Sequence, residues 1–435
     1  WAAASRRLVR LRVPSAAEPA GAVVLGRIAL ALAVLLLVAA TLFFSIERDD
    51  GLSLAMGMAI RDGRLPYRDF FENRTPALHY LTAAAHSVHP SPWAPRVLLL
   101  LANLANAALA GLLAGHLTQG PAIAPGTSRR ARGWAALLYV LATLAFQGHL
   151  FYAEPFAAFL LLLSLWLAWS RRRLTLAALA AAATFWLKQP ALLPAAALVG
   201  VLLWEARGWR ERSHVAASAL VALAAPLPFI WGAGMALAMA RQTVLQNLQS
   251  RGGWWRGAAE MGKALLDLIG LTGAFWALCT AGLLERTAVG EGRRPCPMLS
   301  LALEIAAALL TVLPALYRHY FLLAAALGSG AAGVGMAHLR AALQERRHRA
   351  LLAALVLIPL LAQGAVPALS VLRQGYLFRQ LALGRQVARL TGPGEPILVL
   401  TYHPAYYFLA PRYPPAPTFF LLWVNDTPEI ESQML

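Results

Sequence analysis

Four acidic side chains along this chain could carry out chemistry. Asp49 and Asp50 follow the first apolar run, and Glu72 lies in the polar segment beyond them. Glu154 precedes a later apolar run. If these helix ends meet, the carboxylates could share one cavity, where shifted pKa values suit general bases or ligands of a divalent metal ion. A plainer interpretation stays open, because acids are common at helix ends and Glu154 stands just before a proline.

Basic side chains flank the same segments. Arg74 closes the first polar segment, Lys188 separates two apolar runs, and Arg318 stands beside His319 and Tyr320. Such cations can extend toward lipid headgroups, or they can bind an anionic group such as the phosphate of a lipid carrier. Both interpretations remain open from the residue types alone.

The composition predicts a polytopic helical membrane protein. The 435 residues are 59% hydrophobic and only 13% charged, and long apolar runs recur along the chain. A net charge of +18 would suggest nucleic-acid binding in a soluble protein, but here we interpret it as topology, because arginine marks cytoplasmic loops. We expect no nucleic-acid partner, and no disulfide between the two cysteines, Cys279 and Cys296. The chain begins with tryptophan and stops in a polar segment, so we expect a fragment.

Eleven apolar stretches approach the length that a membrane-spanning helix needs. The run Pro76–Val88 is shorter and contains two histidines, so we predict a juxtamembrane or re-entrant helix there. The predicted spans are residues 28–46, 96–118, 133–149, 155–170, 174–188, 190–205, 215–232, 264–284, 298–316, 320–338 and 350–367.

The arginine clusters assign a direction to these spans. With the N-terminus in the cytoplasm, every compact basic cluster falls on the cytoplasmic side. The polar loop 47–93, the ends carrying Glu154, Lys188 and Arg318, and everything after about residue 367 then face outward. This predicts a transmembrane domain over 1–367 and an extracytoplasmic segment over 368–435.

Two outward regions have predicted local structure. Leu52–Arg61 has the pattern of an amphipathic helix lying at the membrane interface. In the tail, a helical stretch over 370–391 ends at a Thr-Gly-Pro-Gly turn, and Ile397–Leu400 has the composition of a strand. We therefore expect the start of a small α/β domain there.

The polar loop resembles a known family motif. Asp49-Asp50-Gly51 is followed by GRLPYRDFFENRTP over Gly63–Pro76 and by Tyr80. This pattern is similar to the first outer loop of bacterial membrane glycosyltransferases of the GT-C fold, in the branch of the protein O-mannosyltransferases and the lipid A aminoarabinose transferase. Three later segments also resemble landmarks of this family: Glu154-Pro155, Lys188-Gln189-Pro190 and Arg318-His319-Tyr320-Phe321. Asp50 stands where that branch more often has Glu, and Arg74 and Thr75 stand where it more often has Lys and Pro.

The resemblance implies a reaction at the outer face of a bacterial inner membrane. A sugar would pass from a polyprenyl-phosphate donor to a hydroxyl of a lipid, glycan or protein acceptor. Asp49, with Asp50 beside it, would be catalytic, and Asp49 would act as the general base. A divalent metal ion is an optional cofactor, with Glu72 and Glu154 as its candidate ligands. The implied substrate-binding residues are Tyr67, Asp69, Glu72, Arg74, Lys188, Arg318, His319 and Tyr320.

Other classes of function remain open at this point. A ligase or polymerase of lipid-linked sugars would use the same outward face. A transporter of such lipids would place ionisable residues inside the membrane, and Glu304, within a predicted span, favours that alternative. Asp267 lies nearer to a helix end. A non-catalytic assembly subunit would most simply lack Asp49, which this chain retains.

Overall fold

The computed structural model shows a helical protein. No strand occurs in the described ranges, only a single bridge between Pro66 and Phe70. The all-α fold class predicted for the membrane domain is therefore observed. The structure describes residues 20–119, 126–245, 272–284, 297–311, 318–343, 345–374, 376–399 and 403–415.

The described ranges contain a succession of helices. Gln189–Ala191 and Arg318–Tyr320 form additional single tight turns, and Arg241–Leu245 forms a wider one. The helices are α1 (Ala20–Phe43), α2 (Arg48–Arg61), α3 (Ala77–Val88), α4 (Trp93–Leu117), α5 (Thr127–Ala145), α6 (Glu154–Arg171), α7 (Leu174–Leu187), α8 (Leu192–Glu205), α9 (Gly208–Ala224), α10 (Leu227–Gly232), α11 (Ala236–Ala240), α12 (Thr272–Leu284), α13 (Pro297–Leu310), α14 (Phe321–Ala342), α15 (Arg346–Gln374), α16 (Tyr376–Leu390) and α17 (Ala405–Leu409).

Helices occupy the positions of the predicted spans within the described ranges. Five segments are long and apolar enough to cross a membrane: Val24–Phe43, Trp93–Leu117, Gly208–Gly232, Arg318–Ala342 and Arg346–Ala365. Four further apolar helices are shorter. The chain is thus a multi-pass membrane protein, and the count of eleven crossings stays a prediction. The run predicted not to cross forms α3, whose 12 residues would extend only about 18 Å.

Helix α14 lies at the centre of the bundle. It packs against α4, α5, α6 and α13, and its residues Phe321–Ala337 are buried. Small residues allow this close approach: a Cβ built on Gly333 would lie 2.6 Å from Cβ of Ala135, and one on Gly335 would lie 2.3 Å from the carbonyl oxygen of Leu278. By contrast, α1 and the first part of α15 keep most of their apolar side chains at least partly exposed, as a lipid-facing helix does.

The environment predicted for Leu52–Arg61 is wrong. The helix is present as part of α2, but residues Asp50–Ala59 are buried, because α3 packs on one side and α17 on the other. Glycine and alanine recur along α2, so no broad apolar face distinguishes an interfacial side. This helix is therefore an internal element of the protein.

The strand predicted over Ile397–Leu400 is not observed. Residues 397–399 are irregular, and the backbone N–H of Ile397 donates to the carbonyl of Tyr413 at 3.0 Å. Leu400 lies outside the described residues. The α/β character expected of the tail is therefore absent from 376–399 and 403–415, which contain the helices α16 and α17. Cys279 is a free buried thiol, and Cys296 falls outside the described ranges.

The assigned direction of the spans can be tested by labelling. In a Cys296→Ser background, a cysteine replacing Val88, which is 87% exposed, should react with a membrane-impermeant maleimide in intact cells. A cysteine replacing the exposed His214 should react only after permeabilisation, because arginines surround it. The opposite pattern would reverse the topology and place the polar loop in the cytoplasm.

Candidate active site

Asp49 lies in the first turn of α2, not at the end of α1 as the sequence predicted. Helix α1 stops at Phe43, and an irregular link connects it to α2. Oδ1 of Asp49 accepts a hydrogen bond from Nη2 of Arg74 at 2.6 Å. Both side chains are about one-third exposed, at 31% for Asp49 and 33% for Arg74. The pair is therefore held by the fold and still open to an incoming molecule.

The charges around Asp49 keep it ionised. Burial alone would raise the pKa of Asp49. Arg74, His319 and Lys188 lower it by more than burial raises it, so the net pKa lies below its ordinary value. The largest of these opposing effects comes from Arg74. A carboxylate in this state can accept a proton at neutral pH, although a low pKa makes it a weak base.

Asp50 has a different role from its neighbour. Its side chain is fully buried, and Oδ2 accepts a hydrogen bond from Nη2 of Arg96 at 2.8 Å. Burial raises the pKa of Asp50, an effect that Arg96 opposes and the nearby charge of Asp49 reinforces. The side chain has no exposed surface and holds Arg96 in the interior, which is a structural role, and the catalytic role of Asp50 stays a prediction.

Arg96 anchors the end of α1 as well as Asp50. It is 2% exposed, and Nη1 donates to the carbonyl of Phe44 at 2.7 Å and to that of Leu42 at 3.3 Å. Nη2 also donates to the carbonyl of Ser45 at 3.2 Å. These carbonyls lack intrahelical partners because the helix ends there. One guanidinium thus joins α4, the end of α1 and the first turn of α2.

The loop before Arg74 is shaped by its own polar groups. Oδ2 of Asp69 accepts from the backbone N–H of Leu65 at 2.7 Å, and the hydroxyl of Tyr67 donates to the carbonyl of Arg74 at 2.5 Å. Tyr67 adopts φ of 66°, a conformation that costs energy for a residue with a side chain. Tyr67 and Asp69, predicted to bind substrate, are therefore positioned as supports of the loop.

Gln242 fastens this loop to a distant part of the chain. Its Oε1 accepts from the backbone N–H of Glu72 at 2.9 Å, and its Nε2 donates to the carbonyl of Tyr67 at 3.1 Å. Gln189 adds a bond from Nε2 to the carbonyl of Asn73 at 3.0 Å. The loop therefore reaches Arg74 with its backbone fixed from two sides.

Glu72 is buried in an ion pair with His79 of α3. Oε2 of Glu72 lies 2.8 Å from Nε2 of His79, and both side chains are at most 1% exposed. Oε1 accepts from the backbone N–H of Arg74 at 2.8 Å. Burial alone would raise the pKa of Glu72, but His79 and Arg74 lower it below its ordinary value. The carboxylate thus lies against His79 through Oε2 and holds the backbone of Arg74 through Oε1.

Glu154 and Lys188 form a further ion pair, and the charge of Lys188 acts on Asp49 of the Asp49–Arg74 pair. They come from the start of α6 and the end of α7. Nζ of Lys188 also lies 3.7 Å from the ring centre of Tyr320, and Nε2 of His319 lies 3.7 Å from Oε1 of Glu154. His319 is buried, whereas Arg318 beside it is exposed. Three helix ends therefore meet at one carboxylate.

The described residues do not fit a shared metal ion. Among them, no group of three or more histidine, cysteine, aspartate or glutamate side chains is arranged to hold one. Glu72 and Glu154, the predicted ligands, are instead satisfied by His79 and Lys188. We therefore derive no step through a metal ion.

The site brings together most of the residues that the sequence singled out. The charge of Lys188 acts on Asp49 along with that of Arg74, so the two ion pairs belong to one cluster. Sequence reasoning missed Arg96, His79 and Gln242, and it quoted Gln189 only as part of the Lys188-Gln189-Pro190 segment. Arg96 carried a signal, because a charge near the start of an apolar run needs a partner. Gln242 carried none.

The buried pair between Asp50 and Arg96 should be essential for stability. Arg96→Leu leaves an uncompensated carboxylate in the interior, so we expect the free energy of unfolding in detergent to fall by about 3–5 kcal/mol. The double variant Asp50→Leu/Arg96→Leu should recover part of that loss because no charge is stranded. An Arg96→Leu protein as stable as the wild type would show that Asp50 has another partner.

Comparison with known proteins supports the fold. No protein-family model matches the sequence, and no curated protein matches it. The crystal structure of ArnT from Cupriavidus metallidurans bound to undecaprenyl phosphate is similar, with a TM-score of 0.58 and 15% identity over 91% of this chain and 86% of that chain. The apo structure of the same protein gives a TM-score of 0.60 at 15% identity, covering 91% and 85% of the two chains.

A weaker likeness is found to an archaeal protein. The Archaeoglobus fulgidus oligosaccharyltransferase, tethered with an acceptor peptide, has a TM-score of 0.45 and 14% identity, covering 89% of this chain and 63% of that chain. The likeness to ArnT confirms the GT-C-like fold that the first outer loop predicted, and at this identity it is a likeness of fold.

Proposed function

We propose that this protein is a membrane glycosyltransferase that moves a sugar from a polyprenyl-phosphate donor to an acceptor hydroxyl at the outer face of a bacterial inner membrane. The observation that carries the proposal is the partly exposed Asp49–Arg74 pair, with Lys188 nearby. It supplies a base and phosphate-binding cations in one site. The fold is shared with ArnT, whose structure contains undecaprenyl phosphate, so the same lipid phosphate is the natural first ligand to test.

The reaction needs one proton acceptor and a stabilised leaving group. The acceptor hydroxyl oxygen bonds to the anomeric carbon while the bond from that carbon to the donor phosphate oxygen breaks. The electron pair leaves with the polyprenyl phosphate, and the hydroxyl proton passes to a carboxylate oxygen of Asp49. Positioning of donor and acceptor on one fixed frame supplies much of the rate.

Arg74 connects donor binding to the strength of this base. In the free protein its guanidinium binds Asp49 at 2.6 Å and lowers the pKa of that carboxyl. A donor phosphate next to Arg74 would compete for the same guanidinium, because arginine binds phosphate in a bidentate fashion. Releasing Asp49 raises its pKa toward the ordinary value and makes it a better base when the donor is present.

Lys188 is the second cation of the donor site. Glu154 and the ring of Tyr320 both contact its ammonium group. These two contacts hold the ammonium in one position. Arg318, which precedes His319 in the chain, is exposed, and in this proposal it meets the phosphate from the solvent side. In this proposal His319 and Glu154 set the position of Lys188. Lipid, glycan and protein acceptors all present a suitable hydroxyl.

One observation favours an alternative, transport of lipid-linked sugars. Glu304 in α13 is fully buried, and neither carboxylate oxygen has a hydrogen-bond partner among the described residues. Buried acids within spans often belong to transport pathways. In a transporter, Glu304→Gln would abolish movement of fluorescent undecaprenyl phosphate across proteoliposomes while Asp49→Asn would leave it intact. Asp267, the other acid weighed for this class, lies outside the described residues.

The first test removes the base and keeps the shape. Asp49→Asn should lower turnover by about two to four orders of magnitude, the usual contribution of a positioned base. We would measure release of undecaprenyl phosphate from a panel of undecaprenyl-phosphate sugars, with membrane extract as acceptor. Binding of undecaprenyl phosphate in nanodiscs should survive. An Asp49→Asn protein with the normal rate would overturn the assignment of the base.

The second test removes the guanidinium. Arg74→Gln should weaken binding of undecaprenyl phosphate and should also move the acid limb of the pH–rate profile of free enzyme to higher pH. The sign follows because Arg74 lowers the pKa of Asp49, so that without it the carboxylate becomes protonated at a less acidic pH. Arg68→Gln, at an exposed position of the same loop, is the matched control and should leave both quantities unchanged. An unshifted acid limb would show that Asp49 is not the titrating base.

A further inference from the structure

We infer that two stretches after the last long helix, residues 376–399 and 403–413, form a clamp that positions Asp49, with Gln380 as its main positioning residue. The clamp holds the link between α1 and α2 and the first turn of α2. Its effect on turnover rests on the proposed function, whereas its contacts do not. The sequence had suggested a separate domain beginning at residue 368.

Gln380 supplies the hydrogen bonds of the link. Its Oε1 accepts from the backbone N–H of Ile46 at 2.8 Å, and its Nε2 donates to the carbonyl of the same residue at 3.0 Å. Ile46 is 1% exposed and lies between two helices, so water cannot easily replace these bonds. A single amide therefore fixes the backbone three residues before Asp49.

Helix α17 packs closely against the first turn of α2. A Cβ built on Gly51 would lie 2.6 Å from the backbone nitrogen of Ala405 and 2.8 Å from its Cβ. Only glycine leaves room for this approach, because atoms this close would overlap. Gly51 follows the two aspartates directly, and its N–H donates to the carbonyl of Glu47 at 2.7 Å.

The same segment also contacts the chain at the C-terminal end of α2. The hydroxyl of Tyr413 donates to Oδ2 of Asp62 at 2.5 Å, and the guanidinium of Arg64 lies 3.6 Å from the ring centre of Tyr413. The ring of Phe408 stacks on His86 of α3 at 4.6 Å. Contacts at the start, side and end of α2 leave this helix little freedom to tilt.

The contacts of the clamp given above are with the link before α2, with α2 and with α3. Leu377 and Phe408 join a buried apolar cluster with Leu54 and Met58 of α2, and none of these side chains takes part in the two ion pairs of the site. Movement of the clamp would therefore displace Asp49 relative to its partners while leaving the cations in place. We expect turnover to depend on it more than donor affinity does.

The test compares Gln380→Met with Arg379→Met. Methionine keeps the length of glutamine and removes both hydrogen bonds, and Arg379 is the exposed neighbour on the same helix. In the full-length protein in nanodiscs, Gln380→Met should speed hydrogen exchange of amides 44–51 by at least about tenfold, and Arg379→Met should not. Turnover of Gln380→Met should fall about 10- to 100-fold with the donor KM within about twofold.

A second pair of variants covers the case in which Gln380→Met does not fold. Gly51→Ala should raise exchange over 44–51 and 403–410, because its Cβ displaces Ala405. Gly133→Ala, at a helical glycine with nothing within 4 Å of a built Cβ, should not.

The outcomes separate the clamp from the proposed function. Unchanged exchange in Gln380→Met and Gly51→Ala would overturn the clamp, whatever the activity. Faster exchange with normal turnover would overturn its positioning role. A third outcome is faster exchange in the variants combined with a wild-type protein that turns over no polyprenyl-phosphate sugar. That outcome would uphold the contacts and overturn the proposed function.

Discussion

The arrangement of the region around Asp49 depends on one guanidinium. Arg96 reaches from α4 to three backbone carbonyls at the end of α1 and to the carboxylate of Asp50. An arginine can do this because its fixed fork of donors satisfies several acceptors at once and stays charged in the interior. The direction in which the chain leaves the membrane, and hence the start of α2, follows from that contact. Asp49 is exposed to the site because Asp50, one residue on, is tied down on the opposite side.

The site balances its charges in pairs. Asp49 has Arg74, Glu72 has His79 and Glu154 has Lys188. Only the first pair is substantially exposed, and it is the only one of the three in which a partner can be exchanged without burying an uncompensated charge. The other two pairs hold the backbone near Arg74 and the ammonium of Lys188. Within a few residues, the site therefore combines two buried pairs that stay fixed with one exposed pair whose partner can be exchanged.

Local pattern was sufficient for some features and insufficient for others. Apolar length predicted helices at the positions of the spans, and the motif around Asp49 and Arg74 predicted the fold that the comparison with ArnT supports. The burial of α2 could not be predicted, because its cover comes from Ala405 and neighbours more than 300 positions later in the chain. The strand expected at Ile397 failed for a related reason. A β-branched composition favours a strand only when a partner strand is present, and here Ile397 bonds to the backbone of Tyr413 and Val399 to the hydroxyl of Tyr407.

The close packing of helix α14, which its glycines and alanines allow, affects how the protein loses its structure. Opening free energies vary across a fold, and elements with few buried contacts open first. Since α1 and α15 face lipid while α14 is buried, a detergent that strips lipid should loosen the rim of the bundle before its centre. The turn carrying Asp49 continues from the rim helix α1, so activity would disappear while the central helices are still folded. Inactivation and melting of this protein are then two separate events.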